Sequence, residues 1–198
     1  MPFYKPDLSI VVADPHRPGH ELSYYPGETN LMMADAVVIN KIDTADPKDV
    51  DTVRCNIQNV NRDAVVIEGA SPITVENSSL IEKKKVLVVE DGPTLTHGGM
   101  KIGAGMVAAE KFGAAEIVDP RPYLVGKLKE TFNQYPDIGT LLPAMGYGNE
   151  QIKDLETTIN NTECDVVIIG TPIDLRRIID IKKPSVRVTY DLQETGSP

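Results

Sequence analysis

Three stretches of the chain concentrate side chains that could do chemistry. In the first, Asp14 is followed by Pro15-His16-Arg17-Pro18-Gly19-His20-Glu21. Arg17 offers a planar fork of N–H donors that matches phosphate or carboxylate oxygens. His16 and His20 stand four residues apart, but Pro18 and Gly19 between them exclude the helical turn that a histidine metal pair needs. The stretch reads as a rigid loop that presents Arg17, two imidazoles and Glu21 to an anionic ligand; its plainer reading is a proline-stiffened surface loop. In the second, Asn40-Lys41-Ile42-Asp43 packs an amide, an ammonium and a carboxylate into four residues. In the third, a polar, Gly-rich run from Thr94 to Gly105 opens into a helical pattern, the arrangement that seats an anion on helix N–H groups. His97 and Lys101 would add positive charge there; the alternative is a merely flexible loop. Arg121, pinned between Pro120 and Pro122, is a further candidate for an anionic substrate. Arg176-Arg177 and Lys182-Lys183 read as solvated surface.

What must position these residues is a set of buried strands. Short aliphatic runs recur at Leu8–Ala13, Ala36–Ile39, Ala64–Ile67, Val86–Val89, Glu116–Val118, Asp165–Ile169 and Ser185–Thr189. Continuous apolar runs of this length mark strands buried on both faces, as in parallel sheets. Helical spacing lies between them, over Asp46–Asn59, Gly105–Phe112, Pro122–Asn133 and Gly148–Asn160. The fold class that follows is α/β, with mostly parallel sheets and helices on both faces, like P-loop NTPases and Rossmann-like domains. In such folds ligands sit beyond the carboxyl ends of the strands, which is where Asp14, Asn40–Asp43 and Arg121 fall. The charged stretch Glu82–Lys85 suggests a division into residues 1–82 and 83–198. With 20 basic and 29 acidic residues the net charge is −9, so no nucleic-acid or membrane-surface footprint is expected. No apolar run is long enough to span a bilayer, and no secretory leader pattern opens the chain, so a cytoplasmic protein is expected. Cys55 and Cys164 have no metal or redox spacing and read as reduced thiols.

Asn40-Lys41-Ile42-Asp43 at a strand end resembles the guanine-reading motif of P-loop GTPases, and Ser71 in the small-residue loop after the next strand resembles their backbone contact to the base. An aliphatic strand ending in Asp14 resembles a Walker B strand, whose carboxylate holds Mg²⁺. The chance reading of each short pattern stays open. More specifically, ADPHRPGHELSYYPGETN, ADAVVINKID, VLVVEDGPTLTHGGM, IGAGMVAAEKFGAAEIVDPRP and DVVIIGTPIDL together resemble the cyclic 2,3-diphosphoglycerate synthetase family and its GTPase-like relatives. That resemblance implies a protein about twice this length, of which this chain is the C-terminal half. It further implies ATP- and Mg²⁺-dependent ring closure of 2,3-diphosphoglycerate. Asp14, with Mg²⁺, and His16, Arg17 and His20 would then form the catalytic group. Asn40, Lys41, Asp43 and Ser71 would hold the nucleotide, and His97, Lys101 and Arg121 a phosphorylated small molecule. ATP and GTP both stay open, because the two resemblances pull in opposite directions. The phosphate-cradling loop GxxxxGK[ST] occurs nowhere, since the Gly126-Lys127 pair is followed by Leu128. The alternatives are a GTP-binding switch or chaperone-like module without a small-molecule product, or an inactive fragment. A sheet cut short would expose apolar edges, so a homodimer is also an expectation.

Overall fold

The computed structural model describes residues 6–92, 103–146 and 148–195. The chain forms two compact units, residues 6–72 with 190–195, and residues 73–189. Both are α/β, built on mostly parallel sheets flanked by helices.

In the first unit, strands β1 (Ile10–Ala13), β2 (Ala36–Asn40) and β3 (Val65–Ala70) run parallel, and the short β10 (Gln193–Glu194) returns antiparallel beside β3. The order is β1-β2-β3-β10. Two short helices, α1 (His20–Ser23) and α2 (Gly27–Met32), precede β2, and the long α3 (Pro47–Val60) connects β2 to β3. The start of α3 is written in the sequence. Asp46 accepts the Lys48 N–H as its cap, and Pro47 takes the first turn, where its missing donor costs nothing. Val50, Val53 and Ile57 then fall on one face and bury against Leu31, Val37 and Ile39.

The second unit holds β4 (Ile73–Val75), β5 (Lys85–Asp91), β6 (Glu116–Ile117), β7 (Leu142–Ala144), β8 (Val166–Ile169) and β9 (Ser185–Tyr190). Their order is β4-β9-β8-β5-β6, and β7 also pairs with β5. The pairings of β5 with β6, β7 and β8, and of β8 with β9, are all parallel. Helices α4 (Ala104–Lys111), α5 (Lys127–Gln134) and α6 (Asn149–Asn161) supply Ala108, Leu128, Phe132, Leu155 and Ile159 to a core centred on the fully buried Val86–Val89 and Val167–Ile169.

Three local expectations are corrected. The helix expected over Pro122–Asn133 is broken: a 3₁₀ turn at Arg121–Tyr123 is separate from α5, which starts only at Lys127. Gly126 stands at φ +52° before it, and Asp154 accepts the Lys127 N–H, so the helix is capped from α6. The glycines and proline of Pro143-Ala144-Met145-Gly146-Tyr147-Gly148 predict a flexible loop, but the stretch begins inside β7, where Pro143 pairs in register with Glu90 of β5; Tyr147 lies outside the described residues. The third concerns the first strand, which begins at Ile10 rather than Leu8. Among the described residues no helix is long and apolar enough to cross a membrane.

Candidate functional site

The carboxyl ends of β1, β2 and β3 bring Asp14, Asn40, Lys41, Asp43 and Ser71 together. Asp14 immediately follows β1, and its largely buried carboxylate receives Lys41 Nζ at 3.0 Å and an Arg17 guanidinium N–H at 3.2 Å on one oxygen. The other oxygen accepts the His16 backbone N–H at 3.1 Å. Burial by itself would raise the Asp14 pKa. The Lys41 hydrogen bond and charge, the His16 N–H and the Arg17 charge together outweigh it and hold the carboxyl below its usual range. One carboxylate oxygen thus receives two cationic side chains, Lys41 and Arg17.

The tetrapeptide is folded for this contact. Lys41 adopts φ +61°, a left-handed conformation that costs a non-glycine residue about 1 kcal/mol. In that conformation its N–H meets Asn40 Oδ1 at 2.8 Å while its ammonium reaches Asp14. Asn40 Oδ1 also accepts the Ser71 hydroxyl at 2.8 Å, and Asp43 accepts the Ser71 N–H at 3.0 Å. The Ile42 N–H donates to the Gly69 carbonyl. Asn40 and Asp43 therefore spend hydrogen bonds on tying the β2 loop to the β3 loop, and Lys41 is the member whose charge is turned toward Asp14 and Arg17. His16 joins through Thr44, with Nε2 and the hydroxyl oxygen 3.0 Å apart. Thr44 follows the tetrapeptide directly, and its hydroxyl was the available signal that went unread. His20 opens α1, is exposed, and lays its ring against Tyr24 at 4.7 Å between centroids. Glu21 turns back to accept the Gly19 N–H and the Asn56 side-chain amide, so it braces the loop.

A divalent ion does not fit Asp14 as the side chain stands. Both carboxylate oxygens are taken by N–H donors, two of them cationic, and among the described residues no group of three His, Cys, Asp or Glu side chains could hold a metal.

In the second unit the candidates are arranged differently. His97 and Lys101 lie outside the described residues. Arg121 pairs with Asp119 at 2.8 Å and rests over the Phe132 ring. Arg176 is exposed, as expected, and there pairs with Glu76 and Asp174 through four N–H···O contacts at 2.8–2.9 Å. The N-terminus of α4 is already occupied by a carboxyl of the protein's own: Glu90, 3% exposed at the end of β5, accepts the Gly105 and Met106 N–H groups at 2.7 and 3.0 Å. Burial raises its pKa to about 7 against those two hydrogen bonds. Gly103, Gly105 and Gly170 wall in this carboxyl; a Cβ on Gly170 would come within 2.7 Å of Glu90 Oε2. Sequence reasoning passed over Glu90 because nothing local distinguishes it from Asp91. The glycines on the far side of the fold make it special.

No family model matches the chain. A curated relative from Thermococcus kodakarensis, named "Arginine synthetase ArcE", is 64% identical over all 198 residues. This finding overturns the resemblance to cyclic 2,3-diphosphoglycerate synthetase and to GTPases, and with it the P-loop expectation: the motif strings quoted for that family occur in a chain that matches an arginine synthetase from end to end. The GTPase resemblance that suggested guanine for Asn40–Asp43 falls with it, and the hydrogen bonds to Ser71 engage one oxygen each of Asn40 and Asp43. The chain spans 44% of the length of the curated relative it matches.

Proposed function

We propose that this chain is part of an arginine-forming synthetase, and that the strand-end cluster Asp14–Arg17–Lys41 grips a phosphate group used in that synthesis. The observation that carries the reading is the 64% identity to an arginine synthetase across every residue of the chain. The geometry adds a reason for the phosphate. Forming the guanidino carbon–nitrogen bond in water requires an oxygen to leave carbon, and phosphate is a far better leaving group than hydroxide. A nucleoside triphosphate, ATP or GTP with Mg²⁺, is the general source of such a phosphate. Two cations held side by side by one carboxylate suit its charge. Asp14 then serves to aim Lys41 and Arg17, and His16 and Thr44 complete the rim. The site of action is taken to be the cytoplasm, in keeping with the free thiols of Cys55 and Cys164.

The test is arginine production by the whole protein that contains this chain, given an amino acid with a ureido side chain, an amine donor and a nucleoside triphosphate with Mg²⁺, the ureido oxygen leaving as phosphate, and followed by amino-acid analysis. Lys41→Ala and Arg17→Ala are each expected to lower the rate at least ~100-fold, the usual cost of losing one charge-stabilising group. An unchanged rate in both variants would remove the cluster from the mechanism, and no arginine with any amine donor would remove the activity itself.

A further inference from the structure

Among the described residues, the first unit leaves part of one sheet face exposed and one sheet edge unpaired. Parallel strands normally bury both faces, and residues paired in register on neighbouring parallel strands share a face. Ile10, Ala36 and Val65 are in register, as are Val12, Val38 and Ile67. The opposite face, with Val11, Ala13, Val37, Ile39 and Val66, is packed under α3 and Leu31. On the Ile10 face Val38 of β2 is buried, but Ile10 and Val12 of β1 are 57% and 63% exposed and Val65 at the start of β3 62%, with Leu8 exposed just before β1. The far side of this face is closed differently, by Leu192, whose side chain lies over Gly69. Among the described residues β1 pairs only with β2, whereas β3 at the other side is bordered by β10. From Leu8 to Ala13 there is no charge and no proline, the devices by which natural edge strands avoid pairing.

A surface of this kind is a contact surface, and the comparison indicates its occupant. More than half of the Thermococcus relative lies outside the match to this chain. We infer that the β1 edge and the Leu8–Ile10–Val12–Val65 face receive a polypeptide corresponding to that unmatched part. It adds a strand alongside β1 and an apolar helix over the face, whether joined to this chain or separate from it. This inference does not depend on which reaction the protein catalyses.

The test is to co-produce this chain with the unmatched part of the Thermococcus relative. The complex is weighed by light scattering after gel filtration, and amide exchange is measured by mass spectrometry. A one-to-one complex is expected, with exchange across Ile10–Ala13 slowed at least ~10-fold relative to the chain alone. Val12→Lys, at a side chain that already faces solvent, should weaken the complex at least ~100-fold and leave the melting temperature and circular dichroism of the chain by itself unchanged. Met32→Lys, at a comparably exposed apolar position of the same unit, should leave the complex intact. The inference is overturned by absence of a complex, by a complex indifferent to Val12→Lys, or by Ile10–Ala13 amides already protected in the isolated chain through pairing with a second copy.

Discussion

Replacing Glu90 by Gln tests the account of the second unit's buried carboxyl. Glu90 has a pKa of about 7 in the folded chain, chiefly because burial disfavours its charge, against an ordinary value of 4.5. Its folded pKa is therefore raised. Between those two values the folded state holds a proton that the unfolded state has released, so stability falls as pH rises. The stability linked to this group is fully present below pH 4.5 and gone above pH 7. At 1.36 kcal/mol per unit, a shift of this size corresponds to about 3 kcal/mol. Gln keeps the shape and an oxygen for the Gly105 and Met106 N–H groups but cannot ionise. Urea unfolding followed by circular dichroism at pH 4, 5.5, 7 and 8.5 gives the stability of each protein. The stability of the natural chain minus that of Glu90→Gln is expected to fall by about 3 kcal/mol across this range, and other titrating groups cancel in the difference. A flat difference would refute the reasoning, because it would mean that Glu90 ionises in its crevice as readily as in water.

Other perturbations give separate outcomes. Gly170→Ala drives a Cβ within 2.7 Å of Glu90 Oε2 and 2.8 Å of the Gly105 nitrogen, so it should cost roughly 1–3 kcal/mol in thermal or urea unfolding. Asn61→Ala deletes an amide that donates to the Leu31 and Ala34 carbonyls and accepts from Asp63 and Ala64, and a loss of about 2 kcal/mol is expected in the same assay. The Asp14 carboxyl is held below its usual pKa, so the stability from its pairs is present above the unfolded value and drains away as pH falls through the folded one. Asp14→Asn should therefore flatten the acid limb of the urea midpoint, and an unchanged limb between pH 5 and 2 would show that Lys41 and Arg17 do not engage it.

The relation between sequence and site is clearest at Asp14 and Glu90. Both are acids at the end of an aliphatic strand. Asp14 could be singled out because Arg17 and the proline-stiffened loop follow it directly, and the tetrapeptide with Lys41 likewise stands at the carboxyl end of a predicted strand. Glu90 could not, because what confines it comes from Gly103, Gly105 and Gly170, up to eighty residues away along the chain. Arg176 is exposed, as its neighbours suggest, but they do not reveal its partner: Glu76, a hundred residues distant, closes on it in a bidentate contact. The same limit applies to Asn40 and Asp43: side-chain types suggested base recognition, while the hydrogen bonds that tie one oxygen of each to Ser71 come from the pairing of β2 with β3.

Apolar runs of strand length and the 3.6-residue spacing of Val50, Val53 and Ile57 determined the α/β class and the placement of ligand-type residues at strand ends, because burial periodicity is a local property of the chain. Which strand lies beside which, which carboxylate meets which cation, and which sheet face is left bare were decided only in the tertiary structure. Those outcomes depend on register and on backbone approach between segments far apart in sequence, and no local pattern carries that information.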